Sequence, residues 1–105
     1  MAHFVKVARV EEIQPGEKRI VEVDGILVVV VNLDGEFYAI EDVCTHDGGP
    51  VGEGELDRET GQIICPRHGA CFNVRTGAAL TLPAFQPVPT YQVRVEDGNV
   101  MVESW

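Results

Sequence analysis

Residues 44–70 read CTHDGGPVGEGELDRETGQIICPRHGA. The segment opens on Cys44 and His46, one residue apart, and closes around Cys65 and His68, two residues apart. Eighteen residues separate His46 from Cys65. Thiolate and imidazole are the soft and borderline donors that bind zinc, iron and copper. Close spacing lets one loop offer two donors to one site, and a second loop completes a set of four. Gly48, Gly49, Pro50, Pro66 and Gly69 suit tight loops whose backbone N–H groups can turn inward. The residues alone admit three readings. Buried cysteines and surface histidines can coincide without forming a site. Four donors can hold one tetrahedral zinc, although zinc pairs are more often separated by about two to five residues than by one. Or the donors can hold iron.

Working outward, strand signals dominate. FVKVARV (4–10) alternates apolar and polar residues, the period of a half-buried strand. KRIVEV (18–23) and ILVVVV (26–31) flank Asp24-Gly25, a dipeptide that favours a two-residue hairpin turn. NLDG (32–35) turns the chain into EFYAI (36–40), and EDGN (96–99) joins TYQVRV to VMVES. Val, Ile, Tyr and Phe fill these runs, as strands prefer. VARVEEIQPGE has room for one helical turn before Pro15; no longer helical stripe is visible. The expected class is all-β. The glycine-dense stretch from Val43 to about Leu82 reads as a loop-and-hairpin subdomain set into that framework. Within it GELD pairs with QIICP around RETG, and CFNV pairs with AAL around RTG.

The chain has 105 residues, which predicts a single domain spanning 1–105. With 8 Lys and Arg against 17 Asp and Glu, its net charge is −9. That balance disfavours nucleic acid and anionic membranes, both of which recruit cationic surface. It either serves solubility or favours a basic protein partner. The first residues lack an apolar signal-peptide core, and the longest apolar run, Ile26 to Val31, is too short to span a bilayer. A cytoplasmic location is therefore expected. Three cysteines in a reducing compartment point to metal binding or a free thiol.

Residues 44–79 resemble the cluster-binding region of Rieske proteins, and LPAFQPVPTYQVRVEDGNV (82–100) is similar to that family's proline loop and closing hairpin. In length and loop detail the chain looks most like the small Rieske-type ferredoxins of bacterial ring-hydroxylating dioxygenases. The resemblance implies a Rieske-like fold of antiparallel sheets and one 2Fe–2S cluster. Cys44 and Cys65 would bind one iron, His46 and His68 the other. Neutral imidazoles in place of two thiolates remove negative charge and raise the potential. The implied role is a soluble, monomeric one-electron carrier between a flavoprotein reductase and an oxygenase. The exposed imidazole edge, ringed by Asp47, Pro50, Pro66 and Arg67, would dock its partners.

Departures refine that expectation. Some Rieske proteins join the two loops by a disulfide, and no cysteine stands at the matching positions here. A Ser and a Tyr donate to cluster or cysteine sulfur in the high-potential branch, where this chain has Ala70 and Phe72. Fewer donors to sulfur lower the potential, toward roughly −150 mV. Cys71 reads as a buried small hydrophobe, His3 as a surface residue, and Trp105 as packed on the sheet or part of a docking surface. Three histidines in total cannot supply both the cluster and a two-His-one-carboxylate iron, so a terminal oxygenase is excluded. No G-x-G-x-x-G fingerprint is present, which argues against direct oxidation of NADH. The competing readings are an accessory subunit of another reductase, of the small nitrite reductase type, and a zinc-binding interaction module.

Overall fold

The computed structural model describes residues 3–67 and 69–104. Among the described residues, ten strands form three antiparallel sheets. β1 (His3–Arg9) pairs with β10 (Asn99–Ser104), which pairs with β9 (Val93–Glu96). β2 (Lys18–Val23), β3 (Ile26–Leu33), β4 (Glu36–Glu41) and β8 (Thr90–Tyr91) make the second sheet, in that order. β5 (Leu56–Asp57), β6 (Gln62–Ile64) and β7 (Cys71–Asn73) make the third. The all-β expectation holds, and the third sheet falls within the glycine-dense stretch from Val43 to about Leu82.

Three hairpin turns carry Asp-Gly at their centres. Asp24 and Gly25 have φ of 47° and 86°, Asp34 and Gly35 of 53° and 99°, Asp97 and Gly98 of 53° and 76°. Two consecutive positive φ values are what a type I′ turn requires, and its twist matches that of the flanking strands. The single helical turn forms as 3-10 over Val10–Glu12. It takes Val10 out of the first strand, and the Arg9 N–H donates to the Glu12 carboxylate at 2.6 Å.

β3 explains why its sequence is a continuous apolar run instead of an alternating one. Val29, Val31 and Leu33 face one core with Ile40, Ile63, Phe72 and Val74. Val28 and Val30 face the other with Ala39, Tyr91, Val100 and Val102. A strand covered on both faces has no solvent side to mark with polar residues. The first core joins the framework to the subdomain and includes both Cys44 and Cys65. Asn32 is the buried polar side chain of this region. It donates to the Ile13 carbonyl at 2.8 Å and accepts from the Gly35 N–H at 2.7 Å, so its burial is matched by hydrogen bonds.

The period-2 run TYQVRV is divided. Thr90–Tyr91 pairs with β4, whereas Val93–Glu96 pairs with β10. The chain changes sheets at Gln92, whose carbonyl accepts from the Glu103 N–H at 2.9 Å. The subdomain hairpins form as expected: Leu56 pairs with Ile63 and Asp57 with Gln62. The AAL segment meets β7 through one bridge, Phe72 to Ala79, flanked by Asn73 N–H to Ala78 carbonyl and Leu80 N–H to Cys71 carbonyl.

Candidate metal centre

Two loops carry the predicted donors. The first follows β4. Its Cys44 N–H donates to the Gly49 carbonyl at 2.7 Å, and the Gly48 N–H donates back to the Cys44 carbonyl at 2.7 Å. The second follows β6 and repeats the ring. Cys65 N–H donates to the Ala70 carbonyl at 2.7 Å, and Gly69 N–H to the Cys65 carbonyl at 3.0 Å. In each loop the residue four after the cysteine is a glycine with positive φ, 76° at Gly48 and 75° at Gly69. A side chain there would be strained in the left-handed region.

Further contacts set the loops against each other. The Asp42 carboxylate accepts from the Val51 and Gly52 N–H groups at 2.9 and 2.7 Å, which fixes the exit of the first loop. Gly54 passes over the backbone beside the second loop so closely that a Cβ there would lie 1.7 Å from the Ile64 carbonyl oxygen. The Thr45 hydroxyl donates to the Gln86 carbonyl at 2.7 Å, tying the first loop to the proline segment.

These contacts bring the two cysteines together. Both are buried, and their sulfurs and a carboxylate oxygen of Asp47 all lie within 4.8 Å of one another. Burial pushes the Cys44 thiol above its ordinary pKa; the backbone N–H groups of His46 and Asp47 act against that, and the facing Cys65 thiol adds to it. Those backbone donors favour a sulfur that carries negative charge, as a metal-bound thiolate does. His46 is exposed and stands outside the close group. His68 lies outside the described residues. Asp47 is committed elsewhere. Arg67 grips it with a fork, Nε to Oδ2 at 2.6 Å and a terminal nitrogen to Oδ1 at 3.1 Å, and the Gly49 N–H reaches Oδ1 at 2.9 Å. Asp47 is the first cause that holds the Arg67 guanidinium more firmly protonated than usual, despite some desolvation; Cys65 and Cys44 contribute by charge. Two sheltered thiols, with backbone donors aimed at the Cys44 sulfur, suit a metal-bound thiolate pair.

The model of the Rieske [2Fe-2S] domain matches residues 3–92. The chain belongs to this family. A relative from Photorhabdus laumondii, the 3-phenylpropionate/cinnamic acid dioxygenase ferredoxin subunit, is 42% identical over 96 residues, 91% of this chain and 90% of its own. Among solved structures, the ferredoxin of carbazole 1,9a-dioxygenase from Nocardioides aromaticivorans IC177 superposes with a TM-score of 0.91 at 36% identity, covering 94% of this chain and 95% of its own. A ferredoxin solved as the complex of reduced oxygenase and oxidized ferredoxin in carbazole 1,9a-dioxygenase has a TM-score of 0.88 at 38% identity, covering 94% and 91%. The cofactor of the chain is accordingly a Rieske 2Fe–2S cluster, and its role is that of an electron-transfer component, not of a catalyst acting alone. No helix among the described residues is long and apolar enough to cross a membrane.

Two expectations need adjustment. Cys71 is half-buried instead of buried. On β7 the side chains alternate, and Phe72 takes the inward position; Cys71 and Asn73 point the other way. The Cys71 sulfur lies 3.5 Å from the Gly69 carbonyl oxygen. Asp47 and Arg67, read as separate rim residues, are partners. Sequence gave no signal for that pairing, which depends on how the two loops face each other. His3 is exposed, as expected, and Trp105 lies outside the described residues.

Proposed function

We propose that the chain takes single electrons from a flavoprotein reductase and delivers them to an oxygenase, with Cys44 and Cys65 holding one iron and His46 and His68 the other. The observation that carries this reading is the pair of matched loops that bring two buried thiols together and leave His46 at the surface. When bound, the 2Fe–2S cluster supplies a one-electron couple. Cys44 and Cys65 shield their side of the centre from water, so the imidazole side is the path to a partner. Around it Asp47, Pro50, Pro66 and Arg67 are exposed. The proline segment extends that rim: Thr45 is bonded to Gln86, and neighbouring Phe85 and Leu82 are 79% and 78% exposed. Large apolar side chains beside a redox edge suit a transient protein contact.

The ferredoxin identity of the relatives favours this role over an accessory reductase subunit. The test is rapid mixing of the reduced protein with a ring-hydroxylating oxygenase, followed by the visible spectrum. Reoxidation of the protein with matching reduction of the oxygenase is expected. A His46→Ala protein that kept an unaltered Rieske spectrum would remove His46 from the ligand set.

A further inference from the structure

The two ligand loops are joined across the mouth of the site by the ion pair of Asp47 with Arg67. It differs from the other pairs among the described residues. Arg9–Glu11, Arg19–Glu12, Arg58–Asp34 and Arg94–Glu96 involve a single contact each and are more exposed on both sides. Such pairs contribute little. The Asp47 and Arg67 side chains are 23% and 35% exposed, and the contact is a two-pronged fork. Fork geometry fixes orientation as well as distance.

The surroundings are shaped to receive it. A Cβ at Gly49 would meet the Arg67 guanidinium carbon and a terminal nitrogen at 2.9 Å. The guanidinium therefore lies against the bare backbone of Gly49, whose N–H bonds the same carboxylate that Arg67 grips. Asp47 follows His46 directly, and Arg67 stands two residues after Cys65. A contact between them constrains both loops at the point where the donors diverge.

We propose that the Asp47–Arg67 fork, seated on Gly49, is the fastener that holds the two ligand loops at their working separation in this chain. Both residues are positioning residues, and the assignment rests on the reading of the loops as a Rieske centre. Without the fork, the loops retain their internal hydrogen-bond rings and the packing of Cys44 and Cys65 in one core, but lose this polar tie across the mouth. The centre then opens more often to solvent and chelators, while the framework sheets stay folded.

The experiment follows loss of the visible Rieske spectrum in the loaded protein after adding an iron chelator. Arg67→Ala and Asp47→Ala should each lose the spectrum about tenfold faster than the parent. The double variant should be no faster than either single one, because the two side chains act as one contact. Arg67→Lys keeps the charge but not the fork and should fall between. Far-ultraviolet circular dichroism should be unaltered throughout. The reduction potential provides a second readout: removing the cation should lower it and removing the carboxylate should raise it, whereas a general loosening would move both the same way. Parent-like rates in either single variant, or a double variant whose acceleration is the product of the singles, would overturn the fastener alone. A parent protein that shows no Rieske spectrum after reconstitution would overturn the reading of the site and the fastener with it.

Discussion

The two ligand loops differ at four of six positions, yet they close by the same ring of hydrogen bonds. CTHDGG places its histidine two residues after the cysteine, and CPRHGA three. In both, the cysteine N–H reaches the carbonyl five residues on, and the cysteine carbonyl receives the N–H four residues on. The glycine at that fourth position has nearly the same φ in each. The backbone ring, more than the spacing of the donors, is the common device. It presents the cysteine inward and leaves the intervening residues to vary. The loops diverge in what supports them. The first is tied by Asp42, Thr45 and Asp47 to other segments. The second runs directly into β7, with Ala70 and Phe72 buried in the core.

The largest break of this symmetry is loss of a donor. Cys44→Ala, Cys65→Ala, His46→Ala and His68→Ala should each abolish the Rieske spectrum. Metal binding and loop order are coupled where loops have little core of their own. The framework sheets should persist, since Val28, Val30, Val100 and Val102 pack without reference to the site. Visible absorption with circular dichroism separates the two effects. Collapse of the whole fold in Cys65→Ala would show that the second loop organises the core as well.

A second test exploits the burial of loop two. Ala70→Ser introduces a hydroxyl beside the Cys65 turn, and Phe72→Tyr one within the core. A donor aimed at sulfur favours the reduced state by about 1–2 kcal/mol, and about 1.4 kcal/mol corresponds to roughly 59 mV for one electron. Ala70→Ser alone should raise the potential by roughly 60 mV, and the double variant by on the order of 100 mV. Phe72 is packed on all sides, so a Tyr hydroxyl without a partner there would lower stability. Film voltammetry and thermal melting on the same samples measure both effects. An unmoved potential in a folded Ala70→Ser protein would assign the potential to backbone donors instead.

Much of this architecture was legible because it is local. The Asp-Gly turns announce themselves, since few other dipeptides tolerate two positive φ values. The class and the nearness of the two cysteines followed from runs of a few residues. What stayed hidden is non-local. The change of sheet at Gln92 leaves no mark, because alternation continues through it while the pairing partner changes. The half-burial of Cys71 leaves no mark either, because composition cannot show which side of a three-residue strand faces inward. The Asp47–Arg67 contact joins positions twenty apart and exists only once both loops are closed. His68, the donor that completes the motif, lies outside the described residues, and its role rests on the sequence pattern.

The glycines sharpen the comparison quantitatively. A Cβ at Gly48 or at Gly69 would meet nothing within 4 Å. Alanine at either position therefore adds no clash, only the strain of a left-handed residue, about 1–2 kcal/mol. If the rings are equivalent, Gly48→Ala and Gly69→Ala should lower stability by similar amounts. Chemical denaturation of the loaded protein measures this. Unequal losses would show that the tertiary ties of one loop, and not its ring, determine its conformation.

The smallest expected effect concerns charge at the mouth. Asp47 lies on one loop and Arg67 on the other, and together they neutralise the rim nearest His46. The net charge of −9 is therefore carried by surface away from that pair. Salt screens interactions beyond a Debye length of about 10 Å at 0.1 M, so it weakens the long-range attraction of a basic partner but acts less on the contact itself. Electron transfer from a reductase with a basic face should slow by only a few-fold between low and moderate salt, short of the tenfold or greater range of strong steering. Asp47→Asn leaves Arg67 unbalanced at the rim and should weaken that salt dependence further; Arg67→Gln leaves Asp47 unbalanced and should steepen it. Stopped-flow rates over a salt series decide the point. Identical slopes for the two variants would mean that the mouth of the site contributes nothing to recognition by charge, and that contact there relies on apolar neighbours such as Leu82 and Phe85.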